Sequence, residues 1–155
     1  MGTIARLAEL DIALPPASAP VGSYVPARMG GGGLIFCAGH LGRRGGSVVT
    51  GHIGRDLDIS SARALARLTA LDLLASAAAL VGDPDRITGV VRVTGMMRSV
   101  EGFTEQPTVL NGASDLYVEI FGDRGRHARS AMGVSELPLG AALEIEAIFE
   151  AHMED

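Results

Sequence analysis

The sequence predicts one α+β domain, a mixed sheet with two helices packed on one face in the order ββ(β)αβαββ. Three observations carry this expectation. Two stretches, 60–81 and 107–121, show the apolar spacing of helices. Short β-branched or alternating runs lie between and around them. A length of 155 residues, 47% hydrophobic and 20% charged, suits one folded domain. No repeat or composition shift marks a second domain.

Residues 1–20 are rich in alanine and proline and read as an irregular arm with at most one short turn, so the folded domain is expected over 21–155. Ser23 to Arg28 reads as a short strand, with Pro26 suited to an edge. Gly30 to Gly33 must turn the chain, and the apolar run Leu34 to Gly39 reads as a buried strand. Arg43 to Gly54, glycine-rich around Val48 and Val49, reads as a hairpin or loop. Ser60 or Ser61 suits the N-cap of the first long helix. There Leu65, Leu68, Ala75 and Ala78 share a face with Leu71 close by, while Arg63, Arg67 and Ser76 fall elsewhere. Gly82 and Asp83-Pro84 stop that helix.

Ile87 to Met97 reads as a strand, with Val91, Val93 and Gly95 on one side and Val90, Arg92 and Thr94 on the other. Pro107 suits the first turn of the second helix, whose spacing runs through Val109, Ala113, Leu116, Tyr117, Ile120 and Phe121 to Gly122. Arg129 to Leu137 is a further extended segment, closed by Pro138-Leu139-Gly140. Ala142 to Ala151 alternates as a last strand, Leu143, Ile145, Ala147 and Phe149 opposing Glu144, Glu146 and Glu150.

Composition removes several chemistries. All 13 basic residues are arginines, so no lysine can form a Schiff base and no phosphate-loop lysine exists. A net charge of −5, no tryptophan and 4% aromatics suit nucleic acid poorly. The single cysteine, Cys37, cannot form an internal disulfide and reads as a small apolar residue of a buried strand. His40, His52, His127 and His152 lack ligand spacing, and Cys37 with His40 is the only close Cys/His pair, so no protein-bound metal is expected. No GxSxG elbow occurs, and Ser130 beside His127 does not suggest a triad. The N-terminus carries Arg6 and Glu9 and lacks a signal-peptide core. The apolar run Leu65 to Val81 is interrupted by Arg67 and Asp72 and reads as a buried helix, so the protein is expected to be cytoplasmic.

The informative segment is His127-Ala128-Arg129-Ser130, then Leu137-Pro138, then Glu144-Ile145-Glu146-Ala147-Ile148. A guanidinium at a strand end can grip a planar carboxylate with two parallel hydrogen bonds. From pattern alone, Arg129, Glu144 and Glu146 read first as an ordinary surface ion pair or a solvated sheet face.

Taken with Gly22-Ser23-Tyr24, Cys37-Ala38-Gly39-His40 and Asn111, the part of that segment from Ala128 onward resembles the RidA/YjgF family of reactive-intermediate deaminases, over residues 21–150. The resemblance implies a chorismate-mutase-like fold and a homotrimer with clefts between subunits. It also implies cofactor-free hydrolysis of small 2-imino or enamino acids, such as 2-iminopropanoate, to 2-keto acids and ammonia. By the same resemblance Arg129 pairs with the substrate carboxylate and Glu144 positions or activates water. Tyr24 and Asn111 line the cleft, and the backbone around Gly39 forms part of its wall.

The chain departs from the family pattern at Ser23, where proline is usual, and at Ala38-Gly39-His40, where Ser-Gly-Gln is usual; one extra residue also separates Asn111 from Arg129. The cleft thereby loses a hydroxyl and gains an imidazole, which makes His40 a candidate to touch substrate or assist Glu144. A lone histidine near a strand end is more often a structural residue. The branch is often labelled a translation inhibitor or endoribonuclease. Two other readings remain: a non-catalytic keto-acid-binding or chaperone-like trimer, and a ribonuclease, which the composition opposes.

Overall fold

The computed structural model describes residues 1–19 and 22–152. In chain order the elements are α1 (Thr3–Glu9), β1 (Ala27–Met29), β2 (Leu34–Leu41), β3 (Arg43–Arg44), β4 (Ser47–Val48), α2 (Ile59–Val81), β5 (Ile87–Arg98), α3 (Gln106–Phe121), β6 (Ala128–Val134) and β7 (Leu143–Ala151). Five strands form a mixed sheet in the order β1-β2-β7-β5-β6, while β3 and β4 form a separate hairpin. Only β5 and β6 run parallel; the other pairs of the main sheet are antiparallel.

β7 is the middle strand because its sequence suits a half-buried position. Leu143, Ile145, Ala147, Phe149 and Ala151 are buried, and the glutamates between them face the other way. α2 and α3 cover the apolar face. Leu65, Leu73, Leu116, Tyr117 and Phe149 are fully buried in that layer, each such side chain contributing about 1.5–3 kcal/mol by leaving water. The Tyr117 ring meets Phe149 edge-on with centroids 5.5 Å apart, and its hydroxyl donates to Ala70 O at 3.0 Å. The two helices pack closely at Gly112, where a Cβ would fall on the backbone of Arg63. On the opposite face, Phe36 and Met132 remain exposed.

Several expectations need correction. The arm over 1–20 is not irregular throughout: α1 docks onto the domain, with Thr3 Oγ1 donating to Ile87 O at 3.0 Å, Arg6 Nε donating to Glu119 O at 2.8 Å, and Leu7 buried; Pro20 lies outside the described residues. The N-cap of α2 is Asp58, whose carboxylate accepts from Ser61 N, not Ser60 or Ser61. The buried stripe of α2 runs through Ala62, Leu65, Ala66, Thr69, Ala70, Leu73 and Ala77 and includes Ser76, whereas Leu68 is exposed. A register shift between Val90 and Arg92 puts Val90 inside with Val93 and leaves Val91 exposed. The fifth extended segment ends at Val134, short of Leu137. α2 is long and apolar enough to cross a membrane, but eleven of its residues are buried in this core.

Candidate functional site

Arg129 sits on the parallel edge strand β6. Its register partner is the fully buried Val93, so its side chain leaves the sheet on the helix-covered face. There Nη1 donates to Ser114 Oγ at 3.0 Å and Nη2 donates to Pro107 O at 3.2 Å. Pro107, Asn111 and Ser114 follow helical spacing along one stripe of α3, so Asn111 lies on the helix between the two residues that hold the guanidinium. Among the described residues no carboxylate pairs with Arg129. Two of its five N–H groups are committed to the protein, and the rest remain for a ligand.

His127 belongs to the same cluster, although its sequence spacing fits neither a metal site nor a triad. Its Nδ1 lies 2.7 Å from Gly125 O and its Nε2 lies 2.8 Å from Ser114 Oγ. Its ring meets Tyr117 edge-on at 5.9 Å. Burial holds its pKa below the usual histidine value, against the hydrogen bond to Gly125, and the charge on Arg129 pushes the same way as burial. The signal that could have found it is the i, i+2 relation to Arg129, which puts both side chains on one side of an extended segment.

Tyr24, Gly39 and His40 lie elsewhere, around a cleft of about 270 Å³ that Ala38, Leu41, Arg43, Asp72, Pro138 and Leu139 also line. The β2 register shifts between Cys37 and His40, which turns His40 inward. Its Nδ1 bonds Ala38 O at 2.7 Å and its Nε2 bonds Ser76 Oγ at 2.8 Å. A carbonyl can only accept, so Nδ1 carries the hydrogen and Nε2 accepts from the serine. Burial lowers the His40 pKa, with Arg43 adding to that and Asp72 opposing it. His40 therefore borders the cleft with both ring nitrogens engaged. Burial pushes the nearby Cys37 thiol up to about 12, which leaves it protonated and unreactive.

Glu144 pairs in register with Leu41 and Met96 on the face of β7 away from the helices. Its carboxylate packs against Gly39, where a Cβ would overlap it. Partial burial raises its pKa above the ordinary value, and Glu146 adds to the shift. Such a carboxylate is a stronger base than an exposed one.

Within one chain these residues form two groups. Tyr24, Gly39 and His40 border the cleft beside β2, and Glu144 of β7 reaches Gly39 from the uncovered face, whereas Arg129 and Asn111 lie at the far edge. β7 and β5 stand between β2 and β6, so at about 4.8 Å per strand Gly39 and Arg129 are roughly 14 Å apart across the sheet. Among the described residues no group of three or more His, Cys, Asp or Glu side chains comes together as a metal site would require.

Residues 4–150 match the model of a family described as "YjgF/chorismate_mutase-like, putative endoribonuclease". Protein TCP17 of Trypanosoma cruzi is 41% identical over 148 residues, covering 94% of this chain and 92% of that protein. Among solved structures, an Agrobacterium tumefaciens protein of unknown function aligns with a TM-score of 0.84 and 40% identity, covering 97% of this chain and 92% of its own. A protein of Shewanella oneidensis described as a "putative endoribonuclease" aligns with a TM-score of 0.89 and 29% identity, covering 97% and 99%. RidA from a Psychrobacter species shares the fold at a TM-score of 0.56 and 23% identity, covering 86% and 93%.

Proposed function

The chain belongs to the YjgF/chorismate mutase-like family, and from that premise we propose that it is a cofactor-free hydrolytic deaminase of small 2-imino or enamino acids. The observation that carries this reading is Arg129: a guanidinium tied to α3 by Ser114 and Pro107, with no acidic partner among the described residues and donors to spare. A charge-assisted contact of this kind contributes about 1.5–3 kcal/mol to holding a substrate carboxylate.

The chemistry asks little more. Water adds to the C=N carbon of the protonated imine, and Glu144 takes a proton from that water as its oxygen bonds to carbon. The tetrahedral carbinolamine then collapses: Glu144 returns its proton to the nitrogen, the C–N bond breaks and ammonia leaves, while the C=O bond of the 2-keto acid forms and the hydroxyl proton passes to solvent water. The raised pKa of Glu144 suits both transfers.

In this reading Arg129 of one subunit faces Gly39, Tyr24 and Glu144 of another in a homotrimer, which unites the two groups of residues. The exposed Phe36 and Met132 on the uncovered sheet face favour such an association. His40 supports the cleft wall and takes no proton. The endoribonuclease descriptions of relatives are not carried to this chain, whose net charge of −5 and 4% aromatic content suit RNA poorly.

A second reading, a keto-acid-binding trimer without turnover, is favoured by one observation: Glu144 and Arg129 leave the sheet on opposite faces. Release of ammonia and keto acid from freshly generated 2-iminopropanoate and 2-iminobutanoate separates the two. Acceleration by the wild type that is lost in Arg129→Ala supports the deaminase. Binding of 2-ketobutyrate without acceleration supports the second reading, and full activity of Arg129→Ala on every imine tested sinks the carboxylate grip.

A further inference from the structure

Ser114 stands between two partners, 3.0 Å from Arg129 Nη1 and 2.8 Å from His127 Nε2. The direction of this chain of hydrogen bonds is set at its far end. Gly125 O can only accept, so His127 Nδ1, 2.7 Å away, carries the ring hydrogen. The neutral ring then offers Nε2 as an acceptor, and Ser114 turns its hydroxyl hydrogen toward it. The lone pairs of Ser114 Oγ are left to receive Arg129 Nη1–H. Pro107 O receives Nη2–H on the other side. Two anchors on two different nitrogens fix the plane of the guanidinium as well as its position, and bidentate recognition of a carboxylate depends on that plane. The Tyr117 ring, itself fully buried, holds the imidazole edge-on and resists its rotation.

We infer that Ser114 and His127 are positioning residues for Arg129, holding its guanidinium plane so that the uncommitted N–H groups face a carboxylate; this rests on the carboxylate-binding reading above. Neither touches the substrate. A serine and histidine that merely pinned α3 to β6 would have the same contacts, so the test must register Arg129 itself.

The test uses the full-length protein and two readouts. The first is the affinity for 2-ketobutyrate by calorimetry in the wild type, Ser114→Ala, Arg129→Ala and the double variant. The second is nuclear magnetic resonance of the Arg129 guanidinium, assigned by its disappearance in Arg129→Lys. Loss of Ser114 is expected to weaken binding about threefold to tenfold, as removal of one hydrogen bond does. It is expected to cost nothing further once Arg129 is gone, because its effect passes through that residue. The separate Nη signals of the wild type are expected to broaden toward one another in Ser114→Ala, because a guanidinium held by Pro107 O alone turns faster. His127→Ala leaves the serine in place and is expected to act in the same direction, which covers the case of a poorly folded Ser114 variant.

An equal loss with and without Arg129, or Nη signals already merged in the wild type, overturns the inference. If Arg129→Ala binds 2-ketobutyrate as tightly as the wild type, the carboxylate reading fails instead. The resonance comparison then still decides whether Ser114 orders Arg129.

Discussion

Gly39 and Glu144 occupy adjoining strands so closely that a methyl group on Gly39 would overlap the carboxylate, with the Glu144 carboxyl carbon only 2.9 Å from that methyl. The absence of a side chain at position 39 is what gives Glu144 its place. Gly39→Ala is expected to keep the fold, because the clash is with the end of a flexible side chain. It is expected to lower kcat/KM for 2-imino acids by about a hundredfold, the cost of displacing a reacting group by about an ångström. Parallel thermal melts and imine-hydrolysis rates check this. A variant with unchanged kcat/KM would remove Glu144 from the reaction.

Glu144 should trade stability for chemistry. Its folded pKa is raised, chiefly by burial, so the protonated form is favoured in the native state. Stability from this group is fully present below the ordinary value of 4.5 and is lost as pH rises through the folded value. Glu144→Gln is therefore expected to melt higher than the wild type at pH 7, with the gain vanishing below about pH 4.5. Its turnover is expected to fall by about 10²–10⁴. Melting curves at the two pH values test the linkage separately from the activity.

His40 and His127 carry the opposite sign. Burial depresses both folded pKa values, so their contribution to stability is present above the ordinary 6.5 and is lost as pH falls through the folded values. Denaturant midpoints of the wild type should decline as the pH drops from 7 toward 5. His40→Asn should show a shallower decline and, at pH 7.5, a stability lower by about 1–3 kcal/mol, because Ser76 loses its buried acceptor. Identical slopes in the two proteins would mean that His40 does not titrate in this range.

Gly112→Ala tests the packing beneath the Arg129 group. The added Cβ would meet the main chain of Arg63, with its carbonyl carbon 2.9 Å away, and main chain cannot swing aside as a side chain can. A destabilisation of about 1–3 kcal/mol or more is expected from forcing α2 and α3 apart. Urea denaturation measures it, and a variant as stable as the wild type would show that the helices can part without cost.

What the sequence made legible depended on how local the cause was. β7 could be read because a central strand buried on one face writes its alternation directly into the chain. Pro107 and Gly122 bracket α3 through local backbone preferences. α1 could not be read: at seven residues it is too short to be stable alone, and it forms because Thr3 and Arg6 find acceptors more than eighty residues away. The bulges in β2 and β5 were hidden for a similar reason, since register shifts answer to the neighbouring strand. Arg129, Glu144, Tyr24, Gly39 and Asn111 were supplied as candidates by family resemblance. Ser114 and His127 were not, because Ser114 lies 15 residues before Arg129 and 13 before His127, separations that only the packing of α3 against β6 closes.

The placement of Arg129 and Glu144 at separate parts of the sheet has a genetic consequence if their groups meet only across subunits. Two inactive proteins, one Arg129→Ala and the other Glu144→Gln, should then restore each other when unfolded and refolded together. A cleft formed by the intact arginine of one parent and the intact glutamate of the other is whole. Random reassortment makes roughly one cleft in four of this kind. Such interallelic complementation, absent when the same parents are mixed without unfolding, would reveal in a test tube that the unit of activity is larger than the unit of inheritance.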